Sequence, residues 1–112
     1  MRTLQYQNTW TGASPFTGGE TILDIKVQNN LGISLHCVSD DAAMVIKTQY
    51  VFTDPGTGAE VEVVDYDTLT MSSAGTLYVL NYQYKIDHLR VVATSATAGT
   101  KTLRVTANVS QS

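Results

Sequence analysis

Tyr82-Gln83-Tyr84-Lys85-Ile86-Asp87-His88-Leu89-Arg90-Val91-Val92-Ala93 and Lys101-Thr102-Leu103-Arg104-Val105-Thr106-Ala107-Asn108-Val109-Ser110 decide the fold. Apolar and polar residues alternate along both, which predicts two long strands with one buried face each. Between them, Thr94-Ser95-Ala96-Thr97-Ala98-Gly99-Thr100 is small and polar with a glycine near its end, the composition of a hairpin loop. A two-stranded hairpin does not stand alone in water, so earlier segments are expected to cover its apolar face. Ile86 and Leu89 cannot share a face under strict alternation, which predicts a bulge near Asp87-His88 that aims His88 or Arg90 outwards.

Segments that supply the cover lie upstream. Residues 20–28 place Leu23, Ile25 and Val27 on one face and Asp24, Lys26 and Gln28 on the other, a strand with one buried side. Asn29-Asn30-Leu31-Gly32 is a turn, and Ile33, Leu35 and Cys37 then alternate with Ser34 and His36, so a second strand folds back on the first. Residues 43–53 follow a helix-like start, Ser39-Asp40-Asp41 before Ala42-Ala43-Met44, but the run Val45-Ile46-Lys47-Thr48-Gln49-Tyr50-Val51-Phe52 is β-branched and aromatic and predicts a strand. Asp54-Pro55-Gly56-Thr57-Gly58 is the strongest turn in the chain. Residues 60–65 return as a strand with Val61 and Val63 inward and Glu60 and Glu62 outward, and short strands are expected over 68–71 and 76–80 around the turn Ser72-Ser73-Ala74-Gly75.

Residues 1–19 carry Tyr6, Trp10 and Phe16 but are broken by Gly12, Pro15, Gly18 and Gly19. They are expected to form an irregular arm, with only residues 3–7 alternating well enough to pair at a sheet edge. Three aromatics argue that the arm packs on its own domain or on a neighbouring subunit. The organisation that follows is an arm over 1–19 and one domain over 20–112. About eight short antiparallel strands in two packed sheets, jelly-roll-like or immunoglobulin-like, bury so many one-sided strands most simply.

Composition narrows function by exclusion. With 112 residues the chain is one domain, and a net charge of −3 from only seven scattered Lys and Arg removes the electrostatic footprint of a nucleic-acid binder. The charged share of 15% is low and leaves a neutral polar surface, suited to close packing against neighbours. A single cysteine, Cys37, excludes an internal disulfide, and no segment has the apolar length of a membrane-spanning helix, so synthesis and folding in the cytoplasm are expected.

No catalytic or metal-binding constellation emerges, and no cofactor is expected. His36 and Cys37 are adjacent in a strand and point to opposite faces, which disfavours a Cys–His nucleophile pair and a zinc site; His36 and His88 read as structural or exposed polar residues, Cys37 as a small buried one. Asp40, Asp41, Asp54, Asp65 and Asp67 sit in turns without the D-x-D-x-D-G spacing of a calcium loop. Gly12-Ala13-Ser14-Pro15 is no nucleophile elbow, and Gly56-Thr57-Gly58 lacks the lysine of a phosphate loop. The aromatics Tyr6, Trp10, Tyr66, Tyr78, Tyr82 and Tyr84 either fill core and inter-subunit gaps or stack on sugars, with Tyr82 and Tyr84 sharing one strand face.

Tyr84-x-Ile86-x-His88-Leu89-Arg90-Val91-x-Ala93, followed by Gly99 and Leu103-x-Val105-x-Ala107, resembles the C-terminal strands of small β-sandwich proteins on tailed-phage virions, of the capsid decoration (cement) or head-fibre type. The resemblance implies a non-enzymatic bacteriophage virion protein, a homotrimer bound to the major capsid protein or other virion subunits at the capsid surface. It involves neither nucleic acid nor membrane. Interaction residues expected from the sequence itself, not carried by the resemblance, are Tyr6, Trp10, Phe16, Tyr82, Tyr84 and Arg90. A carbohydrate- or receptor-binding module presenting Trp10, Tyr82 or Tyr84 is the alternative, followed by a calcium-dependent module.

Overall fold

The computed structural model describes residues 2–26, 30–40, 44–71, 73–75, 77–82 and 88–111, with the side chains of residues 2, 12–18, 30, 31, 95–100 and 111 outside that description. Six strands follow one another: β1 (Arg2–Lys26), β2 (Asn30–Ser39), β3 (Val45–Thr53), β4 (Glu60–Thr70), β5 (Tyr78–Tyr82) and β6 (His88–Gln111). All pairings are antiparallel. No described residue is helical, so the expectation of strand rather than helix after Ser39-Asp40 holds for β3.

β6 is one continuous strand of 24 residues, where the sequence reading placed a hairpin loop over residues 94–100. Its partner along almost the whole length is β1, 25 residues long, from Arg2 opposite Gln111 to Lys26 opposite His88. Near the middle the register slips twice in opposite senses: Ser14 and Phe16 face Gly99 and Ser95, then Phe16 and Glu20 face Ser95 and Ala93. A long ribbon needs such compensating bulges to turn a corner between two sheets. The small residues of 94–100 and the Gly- and Pro-containing stretch of 12–19 therefore serve one corner. At its end Gly19 adopts φ +83°, and a Cβ there would meet Val92 Cγ1 at 3.0 Å, so glycine is required on both counts.

This corner also revises the N-terminal arm. Residues 2–14 form a regular strand in unbroken register with residues 99–111, and β1 runs on past residues 19 and 20. The Thr, Gln and aromatic residues of this stretch suit a half-buried strand, and the glycines and Pro15 that suggested irregularity gather at the bend instead.

On one side of the corner, residues 103–111 of β6 lie between β1 and β2, with β5 beyond β2; on the other, residues 89–94 lie between β1 and β3, with β4 beyond β3. Two four-stranded antiparallel layers result, and counting β1 and β6 as two segments each gives eight. In chain order the first segment pairs with the eighth, the second with the seventh, the third with the sixth and the fourth with the fifth. That nesting is the jelly-roll form of the β-sandwich. The smallest molecular dimension, 19 Å, fits two layers about 10 Å apart with side chains on their outer faces.

One core joins the layers. Ile33, Leu35 and Cys37 of β2 and Leu103, Val105, Ala107 and Val109 of β6 meet Ile46 of β3, Ile22 and Ile25 of β1, and Leu89, Val91 and Ala93 of β6. Cys37 is fully buried, as its place beside Ile33 and Leu35 predicted. The β1 alternation differs in detail: Ile22 and Ile25 are buried and Leu23 half-buried, because the register slips once more between Thr21 and Leu23. Tyr82 ends β5 rather than beginning the strand that holds Leu89; residues 83–87, with the expected bulge at Asp87, lie outside the described residues, as do Val27, Asn29 and Asp41.

Candidate interaction surface

The hairpin β3–β4 stands out because half of it leaves the core. Asp54-Pro55-Gly56-Thr57-Gly58 makes the connection: the Asp54 carbonyl accepts the Gly58 N–H at 2.7 Å, its side-chain Oδ1 accepts the Gly56 N–H at 2.8 Å, and Gly58 takes φ +74°. Asp54 thus bonds its own turn, as turn aspartates ordinarily do. β4 pairs only with β3 among the described strands, so its other edge runs along no described strand over its 11 residues.

Nearly all of β4 is exposed on both faces, with Leu69 alone half-buried. Val61 is 69% exposed and Val63 42%, where strand alternation had placed both inward. The reason is positional: no further described strand or layer covers the end of the hairpin. Phe52, Val64 and Tyr66 are exposed beside them.

The aromatic rings form a continuous path from this surface to the core. Phe52 stacks on Tyr50 with centroids 5.2 Å apart and planes 12° apart, Tyr50 meets Tyr66 edge-on at 6.1 Å, and Tyr66 lies 5.4 Å from Tyr82. Val64 sits opposite Tyr50 on the same face. At the inner end the Tyr82 hydroxyl and Thr48 Oγ1 are 2.7 Å apart, and Thr48 Oγ1 also accepts the Asp67 N–H at 3.2 Å. Burial pushes the Tyr82 phenol well above its ordinary pKa, and the bond to Thr48 only partly offsets this.

The other face of β3 is polar, since Lys47 and Gln49 alternate with Thr48 and Tyr50. Lys47 Nζ lies 3.2 Å from Asp65, whose Oδ1 accepts Gln49 Nε2–H at 2.9 Å. These two contacts, the Gln49 bond first, hold the Asp65 carboxyl below the usual carboxylate range. Arg90, opposite Gln49, reaches both Glu60 and, at 3.5 Å, Asp24 directly across from it on β1. Asp24 also takes His88 Nε2 as partner. Burial tends to raise the Asp24 pKa, but the His88 bond, with the charges of His88 and Arg90, outweighs it and leaves the carboxyl lowered.

Of the residues expected to carry interactions, Tyr6 and Trp10 are half-buried on β1 against the core, opposite Ala107 and Leu103. The backbone of Phe16 lies opposite Ser95 at the corner, but its side chain is outside the described residues, and Tyr84 is outside them altogether. Tyr82 is 3% exposed, so it offers no stacking platform; its ring and hydroxyl are taken up inside. Among the described residues, Tyr82 meets the hairpin from inside, through Thr48 and Tyr66, and Arg90 meets it on the polar face, through Glu60. Phe52, Val61, Val63 and Val64 were missed as surface residues, although acidic residues at positions 60, 62, 65 and 67 of one strand were a legible sign that it lies at an edge.

Other candidates resolve locally. His36 Nε2 lies 3.2 Å from Ser34 Oγ, Asp40 Oδ1 accepts the Thr102 N–H at 2.9 Å, and no group of three metal-ligating side chains occurs among the described residues. His88 is 4% exposed, and its Nδ1 has no hydrogen-bond partner among the described residues. A concavity of about 270 Å³ opens between Thr9, Val38, Asp40 and Arg104.

No family model matches the chain, and no curated protein matches it. Solved structures do. A chain in the structure of infectious bursal disease virus, Gx strain, superposes with a TM-score of 0.52 at 13% identity, over 99% of this chain and 33% of that one. A chain in the crystal structure of the T13 infectious bursal disease virus particle gives 0.48 at 15%, over 99% and 32%. A chain from the disulfide-linked pili of Bacillus endospore appendages gives 0.42 at 16%, over 98% and 89%. The chain thus spans about a third of the length of the viral chains. The first of these likenesses supports the sandwich fold and, at such identity, the fold alone.

Proposed function

We propose that the chain is a non-enzymatic structural protein of a virus particle, a capsid decoration or cement subunit made in the host cytoplasm and held at the particle surface. The observation that carries this reading is the β3–β4 hairpin, a jelly-roll edge whose apolar side chains and backbone groups are left for a partner. Jelly rolls are a recurrent form of viral coat domain, and the likeness to a chain of infectious bursal disease virus lies in that fold. Such a protein works by adding buried area across junctions between shell subunits, so that contacts repeated by symmetry resist pressure from within. The subunits are homotrimers, with the β1 edge bearing Tyr6 and Trp10 turned towards a neighbouring copy and β4 towards the shell.

Two measurements test this. Light scattering on the purified chain is expected to give a trimer, and immunogold labelling is expected to mark the surface of intact particles of the encoding virus. A monomer absent from purified particles would overturn the reading. The parallel-stacked pair of exposed Phe52 and half-buried Tyr50 favours a second reading, a carbohydrate-binding module. Saturable binding to defined glycans that is lost in Phe52→Ala would replace the structural role with recognition.

A further inference from the structure

We infer that the free edge of β4 receives an extended, lysine- or arginine-bearing strand of a different polypeptide, added to the sheet as a fifth strand of its layer. Three observations on the hairpin converge. The edge is long, 11 residues, and pairs on one side only among the described strands. Its exposed valines, Val61, Val63 and Val64, are apolar surface that the side chains of a new strand would cover. And its charge has one sign.

Every side chain on β4 that is charged at neutral pH is a carboxylate, Glu60, Glu62, Asp65 or Asp67. Over residues 45–70 Lys47 stands against these four and Asp54, a net charge of −4, whereas the whole chain carries −3. The hairpin therefore holds more than the entire net negative charge, and the remainder of the molecule is slightly positive. Lys47 and Arg90 answer Asp65 and Glu60, which leaves Glu62 and Asp67 without a cationic partner among the described residues.

That charge selects among occupants. If two copies paired antiparallel through β4, each would set its carboxylates against those of the other, and like charges across a strand pair are destabilising. Register slips at residues 65–67 and 60–62 further spoil a self-complementary ladder. An edge protected in this way from its own copies remains open to a strand carrying cations, which gains the backbone bonds and the attraction together. The inference rests on the same free edge as the virion reading but not on that role: oligomeric mass and particle labelling decide the role, and peptide binding decides the inference.

The test uses the full chain and a synthetic ten-residue peptide alternating lysine and valine, with blocked ends. Saturable binding by fluorescence anisotropy is expected, with amide shift changes confined to residues 60–70. The same peptide with glutamate for lysine, and the lysine peptide with a central proline, are each expected to bind at least about tenfold more weakly, the first by charge and the second by loss of ladder bonds. Glu62→Lys is expected to weaken the lysine peptide by about threefold or more; if that variant does not fold, raising the salt concentration reads the same term on the native chain. Equal binding of the proline peptide would reduce the effect to unspecific attraction and overturn the inference. So would failure of the lysine peptide to bind, or concentration-dependent amide shifts over residues 60–70 without peptide, which would make a second copy the occupant.

Discussion

β6 and β4 are written in the same period of two and end in opposite environments. Along β6, Leu103, Val105, Ala107 and Val109 are wholly buried, while on β4 Val61 and Val63 stand in solvent. The difference lies in what flanks each strand. β6 has a strand on either side and a second layer over its inner face; among the described residues β4 has one neighbouring strand and little above it. The residues between the apolar ones register this difference. On β6 they are Arg104, Thr106 and Asn108, mostly neutral, whereas on β4 they are mainly carboxylates, which keep an uncovered edge soluble. Alternation identifies a strand, and the polar half of the alternation tells where in the sheet it lies.

The sharpest way to break this comparison is to truncate one apolar side chain on each strand. Leu103→Ala removes buried methyls from the middle of the core and is expected to cost about 2–5 kcal/mol, a large part of the stability of a domain this size. Val63→Ala is expected to change stability by no more than about 0.5 kcal/mol, because the side chain is already hydrated. Urea denaturation of both variants checks the pair. Equal losses would mean that the hairpin is covered in the free protein and that β4 is not an edge.

An intermediate effect is expected where the two regions join. Thr48→Val keeps the shape of the side chain but removes the oxygen that serves the Tyr82 hydroxyl and the Asp67 amide. Leaving buried polar groups short of a partner costs about 1–3 kcal/mol. Tyr82→Phe in the same background is expected to recover part of that loss, since the hydroxyl, left with the Asp67 carboxylate alone, is then gone. A double-mutant cycle on thermal unfolding measures the coupling, and additivity of the two changes would show that the bond contributes nothing.

The sandwich was legible in the sequence because period-two alternation survives in β2, in β3 as far as Thr48 and in the outer part of β6, as in the buried run Ile33, Leu35 and Cys37. The corner was not. Residues 94–100 have the small, polar, glycine-bearing composition of a loop, and a strand that bends between two sheets needs the same small side chains for the same reason, close approach of backbone. Only the long-range pairing with residues 14–20 separates the two cases, and a single sequence does not display it. The interaction surface was half legible. Arg90 was picked out from its place near an expected irregularity, but Val61 and Val63 were set inward because their cover depends on which strand is last in the sheet.

The smallest expected effect concerns the polar face that β1, β6 and the hairpin share. The folded-state pKa of Asp24 is lowered, so the ionised carboxylate favours the folded chain. That contribution is fully present above the unfolded carboxyl pKa of about 3.9 and is lost as the pH falls through the lower folded value. Asp24→Asn has no such ionisation. The stability difference between the native chain and this variant is therefore expected to be constant just above pH 5 and to shrink steadily below about pH 4. Asp24 is 39% exposed, and solvent screening keeps the difference within the range of surface pairs, about 0.2–1 kcal/mol. Urea midpoints between pH 2.5 and 5.5 would reveal it. A difference that grew on acidification would mean that Asp24 is stabilised in its protonated form, by burial rather than by Arg90 and His88, and that the charged path from His88 through Asp24 and Arg90 to Glu60 does not anchor the hairpin to the body of the sandwich.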